Sequence, residues 1–442
     1  MPIPQPATVA EAVALLRSPD AQDRQRGAMG LAAFSPPSAS VVALLIEALA
    51  DQERWVRVVA TDTLVALGQA NPAVVSALIV AQSHPQELVR RWLVEAIARA
   101  ALPETRALEA VLRACDDPSS YVRYEAVNQL KRTKLEHPRL LPVLLKALEA
   151  GEAGAADALA VHQLTDPKAL EALVQALQRD PQHLRSQAAV ALGELGKATP
   201  EVTQGLFALA SSAISYGTEI GSARRALVKL ATQGHVRGFL QKKLRSRVLP
   251  ESTAAALILA EHGVQELEVC QMLLVALEAL DEKEKSVILS KLEPWITSVP
   301  EVALACAPLL QAADDGLRIS AAYLLVVLPE YQEPAAETAL AVLSPTNLWP
   351  AHLALQVLCK LPTLSEERQR RLLPHLISPP DEIQANPTGS AAHHYDVSLR
   401  SPLIGLFLKT PNLLPEVAEA LESLGEEPCF LRQKIKKMNT PP

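Results

Sequence analysis

Small and apolar residues in this chain fall into a stripe that returns at a fixed interval. In DQERWVRVVATDTLVALG, which begins at Asp51, Val56 is followed by Ala60, Thr63, Leu64 and Leu67. Offsets of four, seven, eight and eleven lie on one face of an α-helix, so the stretch predicts an amphipathic helix. The same offsets fit Val89 with Leu93, Ala96, Ile97 and Ala100, and Asp23 with Gly27, Gly30, Leu31 and Phe34. They also fit Val122 with Ala126 and Leu130, although Gln129 takes an apolar place there. Anchors at 23, 56, 89 and 122 are each separated by 33 residues.

The pattern continues at Leu184, Leu317 and Pro350, with weaker copies near Gly151, Glu219, Glu251 and Glu284. A further copy starts at Leu399, 49 residues after Pro350 rather than 33, which fits an insertion around residues 377–396. About twelve units result. A second apolar-periodic segment precedes most anchors, as in PSASVVALLIEALA before Asp51 and PKALEALVQALQ before Asp180. Each unit is therefore expected to be two antiparallel helices joined by a short turn. The Asp before the anchor is placed to cap the second helix. Pro opens the first helix without losing an internal bond. Gly68 and Gly196 stand where a left-handed C-cap is expected. One helix pair cannot bury both apolar faces, so neighbours must stack into a superhelix.

The units resemble HEAT repeats, on the Asp-to-Val/Leu-Arg signature in DQERWVRVVA, DPSSYVRYEA and DPQHLRSQAA, supported by DDGLRISAA. A period near 33 is similar to that of the compact bacterial HEAT-like repeats, which also occur in phycobilin lyase subunits. Ankyrin repeats have a similar period, but no T-P-L-H-x-A stretch is present, and the tetratricopeptide pattern W-x-x-L-G-x-x-Y is missing. The resemblance implies an all-α fold: an α-solenoid of about twelve helix pairs over residues 1–426, followed by a basic tail at 427–442. It also implies that Arg24, Arg57, Arg90, Arg123, Arg185, Arg318 and Arg400 pair with acidic residues of adjacent units.

Composition agrees with close-packed helices. Only 3% of the 442 residues are aromatic, and 49% are hydrophobic. A net charge of -7 argues against a general nucleic-acid binder. Five widely spaced cysteines without a CxxC pair are expected to be free thiols in a reducing compartment. The N-terminus lacks signal-peptide character, and no apolar run is long enough to span a bilayer. A cytoplasmic protein without membrane insertion is expected.

Departures from the repeat pattern are few. Between Ser222 and Pro250 lie eight basic residues and no acid before Glu251: Arg224, Arg225, Lys229, Arg237, Lys242, Lys243, Arg245 and Arg247. They form either a solvated helix face or a docking patch for an acidic partner. Glu266 and Glu268 could neutralise part of it. His393, His394 and Asp396, in the irregular stretch, could be metal ligands, but adjacent histidines project differently and no further ligand is nearby in sequence. Cys270, Cys306 and Cys359 lie in apolar helical contexts and read as inert core thiols. His84, His162 and His262 read as ordinary helix residues. No nucleophile elbow, zinc-protease, P-loop or dinucleotide motif occurs.

The expected function is a non-enzymatic scaffold or adaptor that holds another protein, one with an acidic surface, along the second helices; no cofactor or metal is expected. The residues expected to bind are Trp55, Val59, Arg91, Tyr124, Arg224, Arg225, Lys229, Arg237, Lys242 and Lys243. The family resemblance leaves two alternatives open: a chromophore-handling protein like the phycobilin lyases, and a nucleic-acid binder like the HEAT-like alkylpurine DNA glycosylases.

Overall fold

The computed structural model describes residues 6–34, 37–132, 134–214, 217–343, 348–362 and 365–377. The fold is an α-solenoid, and no strand occurs among the described residues. The insertion around 377–396, the copy at Leu399, Arg400, His393, His394, Asp396 and the tail 427–442 lie outside the described residues, apart from Ile377 itself.

Two compact units divide the chain: residues 1–212 with 216–236, and 213–215 with 237–442. The first unit holds seven helix pairs. First helices are α1 (Val9–Leu16), α3 (Ala39–Ala48), α5 (Pro72–Ala81), α7 (Thr105–Ala114), α9 (Leu140–Glu149), α11 (Pro167–Ala176) and α13 (Pro200–Ala210). Second helices are α2 (Ala21–Gly30), α4 (Arg54–Ala70), α6 (Glu87–Ala101), α8 (Ser120–Leu130), α10 (Gly154–Val161), α12 (Gln182–Leu195) and α14 (Thr218–Leu230).

Helix α15 (Gly234–Leu244) begins in the first unit and continues in the second. It pairs in sequence with α16 (Leu249–Glu261), followed by α17 (Leu267–Ala279) with α18 (Glu282–Leu292) and α19 (Pro300–Cys306) with α20 (Asp315–Leu325). α21 (Gln332–Val342), α22 (Leu348–Lys360) and α23 (Glu366–Ile377) complete the described residues. The four weak copies are real second helices: α10, α14, α16 and α18 follow or contain Gly151, Glu219, Glu251 and Glu284. In α10 and α16 the buried faces carry many small residues, which blurs the stripe. In α10, for instance, the buried side chains are four alanines and Leu159.

The predicted stripe is the core. Val56, Ala60, Leu64 and Leu67, and Val89, Leu93, Ala96 and Ile97, are all buried. The two polar places in the stripe are satisfied. Thr63 Oγ1 donates to the Ala28 carbonyl at 3.0 Å, and Gln129 Nε2 donates to Glu125 Oε1 at 2.7 Å. Pro72, Pro167 and Pro200 open their helices, with Asn71, Asp166 and Thr199 accepting backbone N–H groups.

Gly196 has φ +67 and ends α12 in the left-handed conformation, as expected. Gly68 does not end α4. The helix runs on to Ala70, and Gly68 is buried in it, where an added Cβ would come 2.9 Å from Ala100 Cβ of α6. It is a close-approach glycine. Gly193 does the same between α12 and α14, against Ala226. Second helices of successive repeats thus pack directly on one another, while first helices touch their neighbours more sparsely.

Asp20, Asp281 and Asp314 cap their second helices as expected, accepting N–H groups of the first turn, whereas Asp51 and Asp117 act differently. Asp51 Oδ1 accepts the N–H of Glu53 at 2.9 Å, and Asp117 Oδ1 that of Ser119 at 2.9 Å. Both contacts close the turn before the helix and leave the helical N–H groups themselves uncapped. Their remaining capacity goes to arginine. Arg24 Nε and Nη2 donate to Asp51 at 2.7 and 3.0 Å, and Arg90 Nε and Nη2 to Asp117 at 2.8 and 2.9 Å. The free Nη1 of each holds its own repeat's turn, Arg24 through the carbonyls of Ser18 and Pro19, Arg90 through those of His84 and Pro85. Arg123 reaches Glu152 at 3.3 Å and Arg185 reaches Glu219 at 3.4 Å. Four arginines therefore staple neighbouring repeats, whereas Arg318 pairs with Asp315 of its own helix.

Candidate binding face of the second helices

The second helices bring several of the expected residues to one side of the first unit. Trp55, at the N-terminal end of α4, is 66% exposed, and Tyr124 on α8 is 53% exposed. Val59, one turn along α4 from Trp55, is half-buried. Arg91 on α6 lies with its guanidinium carbon 5.5 Å from the Trp92 ring centroid, a cation–π distance. Its Nε donates to Glu125 Oε2 at 3.3 Å, and Glu125 is itself buried. The Arg91–Glu125–Gln129 chain fixes the guanidinium between α6 and α8. Trp92 is buried beneath it.

Tyr121 was not among the expected residues, yet it is 65% exposed. The signal was present: Tyr121 stands one residue before the anchor Val122, as Trp55 stands before Val56. Leu88 fills the equivalent place on α6 and is half-buried. Beyond this ridge, Arg99 of α6 joins Asp62 of α4 at 2.8 Å and Glu95 at 3.1 Å.

The basic cluster is not one surface. Arg224 is buried, with Nε and Nη2 donating to the Ala210 carbonyl at 3.3 Å, so its expected surface role is corrected. Ala210 is the last residue of α13, whose terminal carbonyls have no partner within the helix, and a guanidinium there meets both the open acceptor and the negative end of the helix dipole. Arg225 is exposed and donates to Ser222 Oγ at 3.2 Å, and Lys229 is paired with Glu194. Arg237 and Lys242 are exposed on α15, while Lys243 meets Glu251 at 3.0 Å. Arg245 pairs with Glu268 at 2.8 Å, the neutralisation anticipated within the chain.

Burial disfavours the thiolate form of the cysteines in the described core. Burial pushes Cys115 and Cys306 up to about 12 and Cys270 up to about 11. Cys359, expected in the core, is exposed. His162 is more than an ordinary helix residue. It is buried, its Nδ1 accepts the Leu135 N–H at 3.1 Å, and its Nε2 lies 3.0 Å from the Leu130 carbonyl. That pairing fixes a neutral ring with the proton on Nε2. Among the described residues, no group of three or more His, Cys, Asp or Glu is arranged to hold a metal ion, and no helix is long and apolar enough to cross a membrane.

Comparison with known proteins follows the repeat geometry. The family profile for HEAT repeats matches residues 9–98 and 75–155. Residues 9–155 are HEAT repeats. No curated protein matches the chain in sequence. Among solved structures, the chain is similar to Kap121p, at 15% identity and TM-score 0.55 over 97% of this chain and 52% of that one. It is also similar to Kap121p bound to Nup53p, at 14% identity and TM-score 0.55, covering 97% and 52% of the two chains. A third is Kap95p in a complex with RanGDP, at 13% identity and TM-score 0.59, covering 94% and 63%. The chain thus spans between half and two thirds of the length of these HEAT-type solenoids, and the likeness is one of fold.

Proposed function

We propose that this HEAT-repeat protein is a non-enzymatic, cytoplasmic scaffold that binds another protein on the second-helix face of its first unit. The observation that carries this reading is the exposed ridge of Trp55, Tyr121 and Tyr124 beside the anchored Arg91. Tryptophan, tyrosine and arginine are the residue types that dominate binding energy at protein interfaces: the aromatics bury much area at little conformational cost, and the planar guanidinium supplies several directed donors. Large aromatics at 3% of the composition have few places to stand, and three of them are left in solvent at matching offsets near the starts of the second helices α4 and α8. The solved structures similar in fold support a protein partner, since Kap121p is bound to Nup53p and Kap95p binds RanGDP.

Arg91 is held between repeats and Arg225 is exposed on α14 of the same unit, which favours a partner with an acidic surface. Val59 and Tyr124 belong to the same contact area as Trp55. Lys229, already paired with Glu194, would contribute at its rim, whereas Lys243 belongs to the second unit and is paired there with Glu251. The test is affinity capture from nuclease-treated lysate with the wild type and a Trp55→Ala/Tyr121→Ala/Tyr124→Ala variant, compared by quantitative mass spectrometry. A stoichiometric protein retained by the wild type and lost by the folded variant supports the reading. Retention by both places the contact elsewhere.

A further inference from the structure

The outer side of the first unit carries a second feature, independent of the ridge. Helix α5, PAVVSALIVA, has no charged residue in its ten positions, although it lies in the outer layer. Its Val80 is 77% exposed, the most exposed large apolar side chain of the described residues. The second helices α6 and α8 pack directly on one another, whereas the first helices α5 and α7 of the same two repeats touch only sparsely. Two adjoining depressions open between them, of about 280 and about 320 Å³, and they share Ile79 and Arg113. Val80 lines one, Ser76 and Arg106 the other.

The charges around this groove are unbalanced. Arg106 and Arg113 are both exposed on α7, and among the described residues neither has a carboxylate partner. Glu109, one turn from each, is already engaged by Arg139 at 2.6 Å and His137 at 3.2 Å. On the floor, Arg90 is matched by Asp117. An apolar slot thus has two uncompensated guanidinium groups on one wall. Seven residues apart on a helix, they are separated by about 10.5 Å along the axis.

We infer that the α5–α7 groove binds an acidic, aliphatic peptide segment in an extended conformation. In a polyproline-II chain, residues three apart share one edge and are separated by about 9.3 Å, close to the spacing of Arg106 and Arg113. Carboxylates at those two places reach the arginines, each able to accept a bidentate pair, and the aliphatic side chains between them cover Ile79 and Val80. Charge steering brings the segment in, and apolar burial at Val80 holds it.

The probe is a fluorescently labelled peptide with two glutamates three residues apart, two leucines between them, and glycine–serine flanks. Binding to the full chain is followed by anisotropy at low and physiological salt. Saturable binding is expected, weakened at least about tenfold by Arg113→Glu, by Arg106→Glu and by Val80→Asp, and unaffected by Lys168→Glu on α11. A peptide with lysines in place of the glutamates is expected to bind the Arg106→Glu/Arg113→Glu variant and not the wild type. The inference is overturned if the wild type shows no saturation up to about 1 mM peptide, if glutamines serve as well as glutamates, or if Arg113→Glu binds as the wild type does.

Discussion

His84 stands 27 residues after Arg57, the place that Asp51 holds relative to Arg24 and Asp117 relative to Arg90. The imidazole performs half of the aspartate's work: its Nδ1 accepts the Gln86 N–H at 3.2 Å, as Asp51 accepts that of Glu53. It supplies no carboxylate. Arg57 still holds its own turn through the carbonyls of Asp51 and Gln52, at 2.6 and 2.8 Å, but its Nε is buried without a partner. The rung that joins the first repeat to the second and the third to the fourth is missing between the second and third.

Restoring that rung should stabilise the protein. His84→Asp keeps the turn contact and gives Arg57 an acceptor, which for a partly exposed pair is worth about 0.5–1 kcal/mol. A higher urea midpoint with an unchanged slope would show it, and the gain should vanish when Arg57 is replaced by Lys. A midpoint that stays put would mean that the Arg57 side chain cannot reach position 84.

The existing rungs make an acid-sensitive contribution. Burial alone would push the carboxyls of Asp51 and Asp117 up, but Arg24 and Arg90, with the backbone N–H groups of Glu53 and Ser119, hold both below the usual aspartate range. A depressed folded value means that this stability is present above the unfolded value, about 3.9, and is lost as pH falls through the folded one. Asp51→Asn and Asp117→Asn should each cost about 1–3 kcal/mol at neutral pH, because each leaves a half-buried guanidinium short of its charge partner. The loss should shrink towards pH 2–3, as judged by guanidinium unfolding across that range.

How much was legible follows from what each position does. The period, the helix pairs and the buried stripe could be read because burial restricts residues like Ala60, Leu64 and Leu93 to small or apolar types. Trp55 and Tyr124 could be read because large apolar groups at charged-face offsets have no place in the core. Arg224 could not: its offset looks solvent-facing until α13 ends opposite it and offers the Ala210 carbonyl. Gly68 and Gly196 looked alike in sequence, and only the path of the chain after them separates a packing glycine from a cap. Asp51 and Asp117 read as helix caps rather than turn residues, and that they are the arginines' partners across repeats follows only from the packing of neighbouring units.

Those two glycines should respond differently to alanine. At Gly68 the new Cβ would sit 2.9 Å from Ala100 Cβ, with Val75 Cγ2 at 3.3 Å, so α4 and α6 must separate. Overpacking of this kind costs about 1–3 kcal/mol, and Ala100→Gly in the same chain should recover most of it. At Gly196 nothing lies within 4 Å, and the cost is that of φ +67 alone, about 1 kcal/mol, which no second-site change nearby should relieve. Unfolding midpoints of the two single variants and the double variant separate the two mechanisms.

His162 supplies a second pH dependence, at milder acidity. Burial is the largest influence and lowers its affinity for a proton, opposed by the hydrogen bond to the Leu130 carbonyl. Nδ1 must stay unprotonated to accept the Leu135 N–H, so a proton arriving there breaks the link between α10 and the segment after α8. The unfolded chain takes up that proton first, near the ordinary histidine value of about 6.5. The stability that His162 contributes is therefore complete above that value and falls as pH drops below it towards the lowered folded one. Urea midpoints measured from pH 8 to pH 5 should decline for the wild type by more than for His162→Gln, which has no proton to gain. Hydrogen exchange at the Leu135 amide should accelerate, relative to the intrinsic rate, over the same interval. Parallel pH profiles for the two proteins would show that His162 takes up its proton as readily in the folded chain as in the unfolded one, so that burial does not lower its proton affinity.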